Sequence, residues 1–234
     1  MSDDPTHTQP PEGPGDQMPR PSGGLSTTMA VVFYGLLLLV AWLLGGWWLG
    51  LDLVVWHDGW GQPVWVDALI GVGIGVATVI ASRIFERTME WARVLTREFR
   101  KILGGLTTGQ VAVFAVTSGV AEEVFFRGFL QQALSEVWIG NEWIGLVVAS
   151  LIFGLIHIGP DREKFLPWTI MAVVLGFVFG LVYMWTGNII APVVAHFTIN
   201  FFNLLHIAGT DLDDEDDQEG AVSADVDEDD PWNR

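Results

Sequence analysis

The 234-residue chain contains no cysteine. That excludes a disulfide framework, a cysteine-held zinc or iron–sulfur site and a thiol nucleophile, so any chemistry must run on oxygen and nitrogen groups. Positive charge is scarce as well. Eleven Lys and Arg stand against twenty-eight Asp and Glu, a net charge of −17, which argues against a nucleic-acid partner. Charged residues of both signs make up only 17% of the chain while half of it is hydrophobic, a balance that excludes a wholly disordered polypeptide. What the chain does have is a series of apolar runs of about 18–25 residues. Each is long enough, at 1.5 Å per residue, to cross a hydrocarbon core of roughly 30 Å, so an ordinary water-soluble globule is excluded too.

The acids are unevenly placed. Residues 211–234 hold twelve acids and one Arg, residues 1–28 hold four acids and one Arg, and the intervening body is nearly balanced with twelve acids and nine bases. The two ends therefore read as solvated, self-repelling polar tails, 1–28 and 209–234. The first is rich in Pro and Gly and lacks both a basic start and an apolar stretch, so it does not read as a signal or transit peptide. Nine Arg against two Lys, with acid loaded onto the aqueous segments, fits a halophilic chain kept hydrated by surplus carboxylates.

Six spans are expected, at about 29–50, 64–84, 107–134, 141–158, 165–185 and 189–208. The fold class is thus all-α, a polytopic transmembrane helical bundle embedded in a lipid bilayer. Residues 29–105 carry two spans and, between Arg83 and Gly105, a basic amphipathic helix that resembles an interfacial segment or else a solvated connector. Placing both termini in the cytoplasm puts ten of the eleven bases on that side and none in an outer loop, the positive-inside pattern. The outer side collects Trp47, Trp48, Trp56, Trp60, Trp65, Trp138, Trp143 and Trp185, which read as an aromatic belt.

The eleventh base is Arg127, inside the third span, where AEEVFFRG also holds Glu122 and Glu123. Three ionisable groups in one membrane helix are expensive and must find a polar interior. Glu123 and Arg127 lie one helical turn apart, the spacing of an ion pair. Glu122 points about 100° away, which leaves it free to take a proton. On the fourth span FGLIH puts Phe153 and His157 one turn apart. On the sixth, HFTIN puts His196 and Asn200 on one face, and Asn203 continues that face by a turn. His206 lies off the stripe near the membrane edge and reads as interfacial, as do His57 and His7. Glu122, His157, His196 and Asn200 together supply a base, a second acid or base and neutral donors, the parts for water-mediated acyl hydrolysis.

EEVFFRG, FGLIH and HFTIN, in that order on three spans, resemble the EExxxR, FxxxH and HxxxN motifs of the CAAX prenyl endopeptidase type II and bacteriocin-processing (CPBP or Abi) family of intramembrane proteases. The resemblance covers roughly residues 106–208, the last four spans, which would form the catalytic core. It implies that Glu122 activates the hydrolytic water, that His157 helps to hold it, that His196 and Asn200 form the oxyanion hole, and that Glu123 and Arg127 are the accompanying structural pair. It implies a membrane-associated protein or peptide substrate, prenylated or bearing a leader. Whether a metal takes part stays open at this level. Glu122, His157 and His196 are a reasonable zinc ligand set, but no HExxH is present, and a glutamate serving as ligand could not readily also be the free base, so the metal-free route is preferred.

Other readings carry less. GVGIG at residues 71–75 lacks the spacing of a nucleotide loop and reads as close helix packing, as do Gly176 and Gly180. Ser118 with His157 could imitate a serine–histidine dyad, without the GxSxG of a nucleophile elbow. A transporter or proton relay would use the same glutamates and histidines but predicts inverted repeats and broken helices, which are not seen. A non-catalytic scaffold or immunity protein is the other rival.

Overall fold

A computed structural model describes residues 26–56 and 62–209. Seven α-helices make up the described chain: α1 (Thr27–Ala41), α2 (Val64–Thr88), α3 (Glu90–Leu103), α4 (Thr108–Glu123), α5 (Glu142–Leu155), α6 (Arg162–Thr186) and α7 (Ile190–Gly209). Two of them continue in wider π-type turns, α1 through Trp42–Trp48 and α4 through Val124–Gln131 and Ala133–Trp138. Among the described residues the only extended pairing is one bridge between Val55 and Asn188. Of the expected tails, residues 1–25, with His7, and 210–234 lie outside the described residues, as do His57 and Trp60 between the first two spans, while Thr27 and Thr28 already belong to α1 and Gly209 to α7.

Short polar residues set the helix starts where the sequence changes character. Thr107 and Gln110 form a capping box at α4, with the Gln110 N–H donating to Thr107 Oγ1 at 3.3 Å and the Thr107 N–H to Gln110 Oε1 at 2.9 Å. The Asn141 side chain accepts from the Ile144 N–H at α5, and that of Asp161 from the Glu163 and Lys164 N–H groups at α6. Each cap satisfies backbone donors that a helix start leaves unpaired.

Five of the helical segments are long and apolar enough to cross a membrane, and the chain is a multi-pass membrane protein. The fourth expected span is shorter than its apolar run suggested. α5 has 14 helical residues, about 21 Å of helix, because the helix ends at Leu155, ahead of the Gly159–Pro160 stop. The third runs four residues past its expected end, to Trp138. Outward-facing Val32, Phe33, Leu36, Ile80 and Ile170 are exposed, as side chains that meet lipid should be. Trp47, Trp48, Trp65, Trp143 and Trp185 are exposed as a belt requires, but Trp56 is only 2% accessible. It is buried because its indole stacks on Tyr183 at 5.2 Å and donates to Glu136.

α4 and α7 pack together at the centre, α1 lies along α4, α2 along α7, and the α5–α6 hairpin closes the other side. Gly71 and Gly75 on α2 allow the α2–α7 approach. A Cβ at Gly71 would lie 2.5 Å from the Ala191 carbonyl oxygen, and one at Gly75 would lie 2.5 Å from the Thr198 Cβ. Small residues at such crossings let two backbones meet.

α3, the basic amphipathic helix, is not a solvated connector. It packs against α2, α6 and α7, burying Ala92, Leu95 and Arg100. Phe99 meets Phe165 and Trp168 edge-on at 5.1 and 5.3 Å. On its outer side Glu98 accepts from Lys101 at 2.9 Å and from Lys164 of α6 at 3.1 Å, and these ammonium groups hold its carboxyl below the usual carboxylate range.

Candidate active site

Glu122 and Glu123 end the regular part of α4, where the winding widens, a feature frequent at functional sites. Their surroundings differ sharply. Glu123 is fully buried, and its Oε1 accepts from Arg127 Nη1 at 2.9 Å and from His196 Nδ1 at 2.7 Å. Arg127, 2% accessible, also donates through Nη2 to the Gly176 carbonyl at 3.0 Å, and its guanidinium lies 4.6 Å from the Phe153 ring and 5.4 Å from that of Phe179. The aromatic faces add attraction for a cation withdrawn from water. The pair expected from spacing is therefore present, with a second partner that spacing did not reveal: Glu123 also holds His196.

Glu122 is buried too, yet its Oε2 has no hydrogen-bond partner in the protein. Two imidazoles face it, His157 with Nε2 at 3.7 Å and His196 with Nε2 at 3.9 Å. Both distances exceed a hydrogen bond and are short enough for one water to touch two of the atoms. The tautomers follow from the other ring nitrogens. His157 Nδ1 lies 2.6 Å from the Phe153 carbonyl oxygen and His196 Nδ1 lies 2.7 Å from a carboxylate oxygen; both oxygens only accept, so both Nδ1 atoms carry hydrogen. Neutral His157 and His196 thus turn bare Nε2 atoms toward Glu122. Only as an imidazolium can His196 donate from Nε2.

Asn200 does not reach Glu122 in its hydrogen bonding. Its Nδ2 donates to Ser118 Oγ at 2.9 Å, one turn before Glu122 on α4. Ser118 is thereby engaged with Asn200 and the Ala115 carbonyl, and it forms no dyad with His157. Asn203 accepts from Ser82 of α2 at 3.1 Å. Phe153 packs between the imidazoles, with ring centroids 4.6 Å from His157 and 6.1 Å from His196.

A tetrahedral zinc site on Glu122, His157 and His196 would need donor–donor edges of roughly 3.3 Å for bonds of about 2.0–2.1 Å. The two edges to Glu122 are 3.7 and 3.9 Å. Among the described residues no group of three His, Cys, Asp or Glu is gathered closely enough to hold a metal ion. The donor chemistry suits zinc but the spacing does not, so no step below is routed through a metal.

The cluster opens into a cavity of about 360 Å³ whose walls come from both halves of the chain. Leu95, Phe99 and Leu103 of α3 give it an apolar side, and Arg83, Glu86 and His206 a polar end. His206 is not simply interfacial: its Nε2 lies 2.9 and 3.1 Å from the two Glu86 oxygens. Tyr34 of α1 also lines the cavity, alongside Glu122 and Ser118. Away from the cavity, Asp67 is fully buried and accepts from Asn188 Nδ2 at 2.8 Å, tying α2 to the α6–α7 turn. Sequence reasoning passed over Tyr34, Glu86 and Asp67, although Asp67 had a signal, being a lone carboxylate in an apolar span.

A bundle of membrane helices that buries two carboxylates, a guanidinium and one imidazole, with a second, half-buried imidazole facing them, defines a polytopic membrane protein with an internal acid–base cluster. Residues 104–202 match the family model for type II CAAX prenyl endopeptidase Rce1-like proteins, and this segment contains all three motifs. Two proteins of Bacillus subtilis (strain 168) are similar over part of the chain. "Uncharacterized protein YpbD" is 36% identical over 101 residues, 43% of this chain and 47% of its own length. "Putative membrane peptidase YdiL" is 32% identical over 92 residues, 39% of this chain and 34% of its own. The chain thus spans less than half the length of either relative. No solved structure gives a significant match.

Proposed function

We propose that the protein is an intramembrane endopeptidase that hydrolyses a peptide bond of a membrane-associated substrate. The observation that carries this reading is the buried Glu122 Oε2, unpartnered in the protein and faced by two imidazoles whose Nδ1–H groups are anchored elsewhere. A water held between Glu122 Oε2 and His157 Nε2 gives its proton to Glu122 while its oxygen attacks the scissile carbonyl carbon, whose π electrons move to oxygen. His196 as imidazolium, and the second N–H of the Asn200 amide, hold that oxyanion. Collapse breaks the C–N bond and the amine leaves with the proton from Glu122. The Rce1-like match and the name of the second relative support the membrane-peptidase reading. The cavity's apolar wall suits a lipid-bearing or hydrophobic peptide, such as a prenylated C-terminus or a leader peptide.

The test compares cells and reconstituted vesicles carrying wild-type protein or Glu122→Gln. Glu122→Gln should nearly abolish cleavage and let uncut membrane precursors accumulate, whereas Asn200→Ala should lose about 10²- to 10³-fold and keep a measurable remainder. Cleavage at the wild-type rate by Glu122→Gln would refute the mechanism. Exhaustive chelation should leave the rate unchanged. Loss on chelation with return on added zinc would require the donors to close around an ion.

We further propose that both termini face the cytoplasm, on the strength of the one-sided basic residues. The chain has no background thiol, so single cysteines placed at Arg93 or Arg162 should resist an impermeant reagent added outside intact cells. Labelling there would invert the topology.

A further inference from the structure

We propose that Tyr34, on the first span and outside the segment that matches the protease family, is a positioning residue of the hydrolytic centre. This rests on the endopeptidase reading. α1 is almost wholly apolar, and from Met29 to Leu49 Tyr34 carries the only hydroxyl side chain. A hydroxyl in hydrocarbon without a partner is costly, so it must turn to a polar group or to the membrane surface. Here α1 lies along α4, and the phenol lines the same cavity as Glu122 and Ser118. Those two residues are one helical turn apart on α4, so a single hydroxyl can meet both.

The consequence is a connected polar path. Ser118 receives Asn200 Nδ2 at 2.9 Å, so Tyr34 stands between the water-activating carboxylate and the amide assigned to the oxyanion. Glu122 Oε2 has no protein partner and faces His157 and His196. Glu123 cannot restrain it, being committed to Arg127 and His196. A phenol donating to the Glu122 carboxylate fixes the carboxylate's rotation so that its free oxygen points at the imidazoles and the water. Tyr34 acts through Glu122, with no proton transferred to or from the phenol.

The conservative change Tyr34→Phe keeps the ring and removes only the hydroxyl. In reconstituted vesicles it should lower kcat about tenfold or more, the usual scale for a lost hydrogen bond to a charged group, with KM within about twofold. A wild-type kcat in Tyr34→Phe refutes the proposal. If Glu122→Gln also cleaves normally, it is the endopeptidase reading that has failed. A readout independent of cleavage is thermal unfolding of Tyr34→Phe, Glu122→Gln and the double variant in detergent. Contact between the two groups predicts non-additive shifts, and additive shifts refute the contact whatever the activity. Tyr34→Leu, which loses the ring as well, should fall in stability more than Tyr34→Phe, separating packing from the hydroxyl.

Discussion

The two halves of the chain treat their polar residues in different ways. In α4–α7, Glu123 Oε1, Arg127 and His196 bond to one another within the matched segment. In α1–α3, Glu86 and Asp67 each reach across to the α6–α7 region for a partner, and Tyr34 lines the cavity beside α4. The first arrangement stores the chemistry in one bundle. The second docks a separate group of helices onto it, closing the cavity and supplying its mouth. The comparison teaches that a segment can carry every motif of the proposed centre and still depend on unmatched helices to enclose it.

The strongest way to break this contrast is to strip the self-contained half of its cation. Arg127→Ala leaves the fully buried Glu123 with only His196, and removal of one partner from a buried pair typically costs about 3–5 kcal/mol. The variant should be purified in lower yield, with a much lower thermal transition and no activity. Glu123→Gln with Arg127→Gln should recover much of the stability because no lone charge remains. It should not recover activity, since His196 loses the carboxylate that anchors Nδ1. A stable but inactive Arg127→Ala protein would place the arginine in catalysis instead.

A smaller effect is expected where the docked half meets the cavity mouth. Glu86→Gln weakens the contacts to His206 and Arg83, which are only half-buried, so the loss in stability should be about 1 kcal/mol. Because Glu86 lies at the polar end of the cavity, KM should rise a few-fold while kcat holds. A fall in kcat comparable to that of Asn200→Ala would mean that the two halves share the reacting centre more deeply than their hydrogen bonds indicate.

Much of this was legible in the chain itself. Apolar runs and helical periodicity are local properties, and they set the all-α membrane bundle and the positions of AEEVFFRG, FGLIH and HFTIN. The four-residue spacing of Glu123 and Arg127 likewise predicted a pair that the structure contains. Less local matters could not be read in this way. Trp56 looked like belt and is core, because Glu136 and Tyr183 lie 80 and 127 positions away and come to it only in the folded bundle. The pairing of His206 with Glu86 of α2, 120 positions away, was equally out of reach of helical spacing.

The sequence by itself thus determined which segments are helical and apolar and which of them carry ionisable groups, since burial in a bilayer acts on each segment separately. Only the tertiary structure decided who partners whom. Glu123 is shared between Arg127, four residues on, and His196, seventy-three residues on; Tyr34 lines the cavity that holds Glu122, and α3 becomes a cavity wall. These choices depend on which helix faces meet, and that is settled by long-range packing at crossings such as Gly71 on Ala191 and Gly75 on Thr198, where the absence of a side chain on one helix matters only because another helix is there.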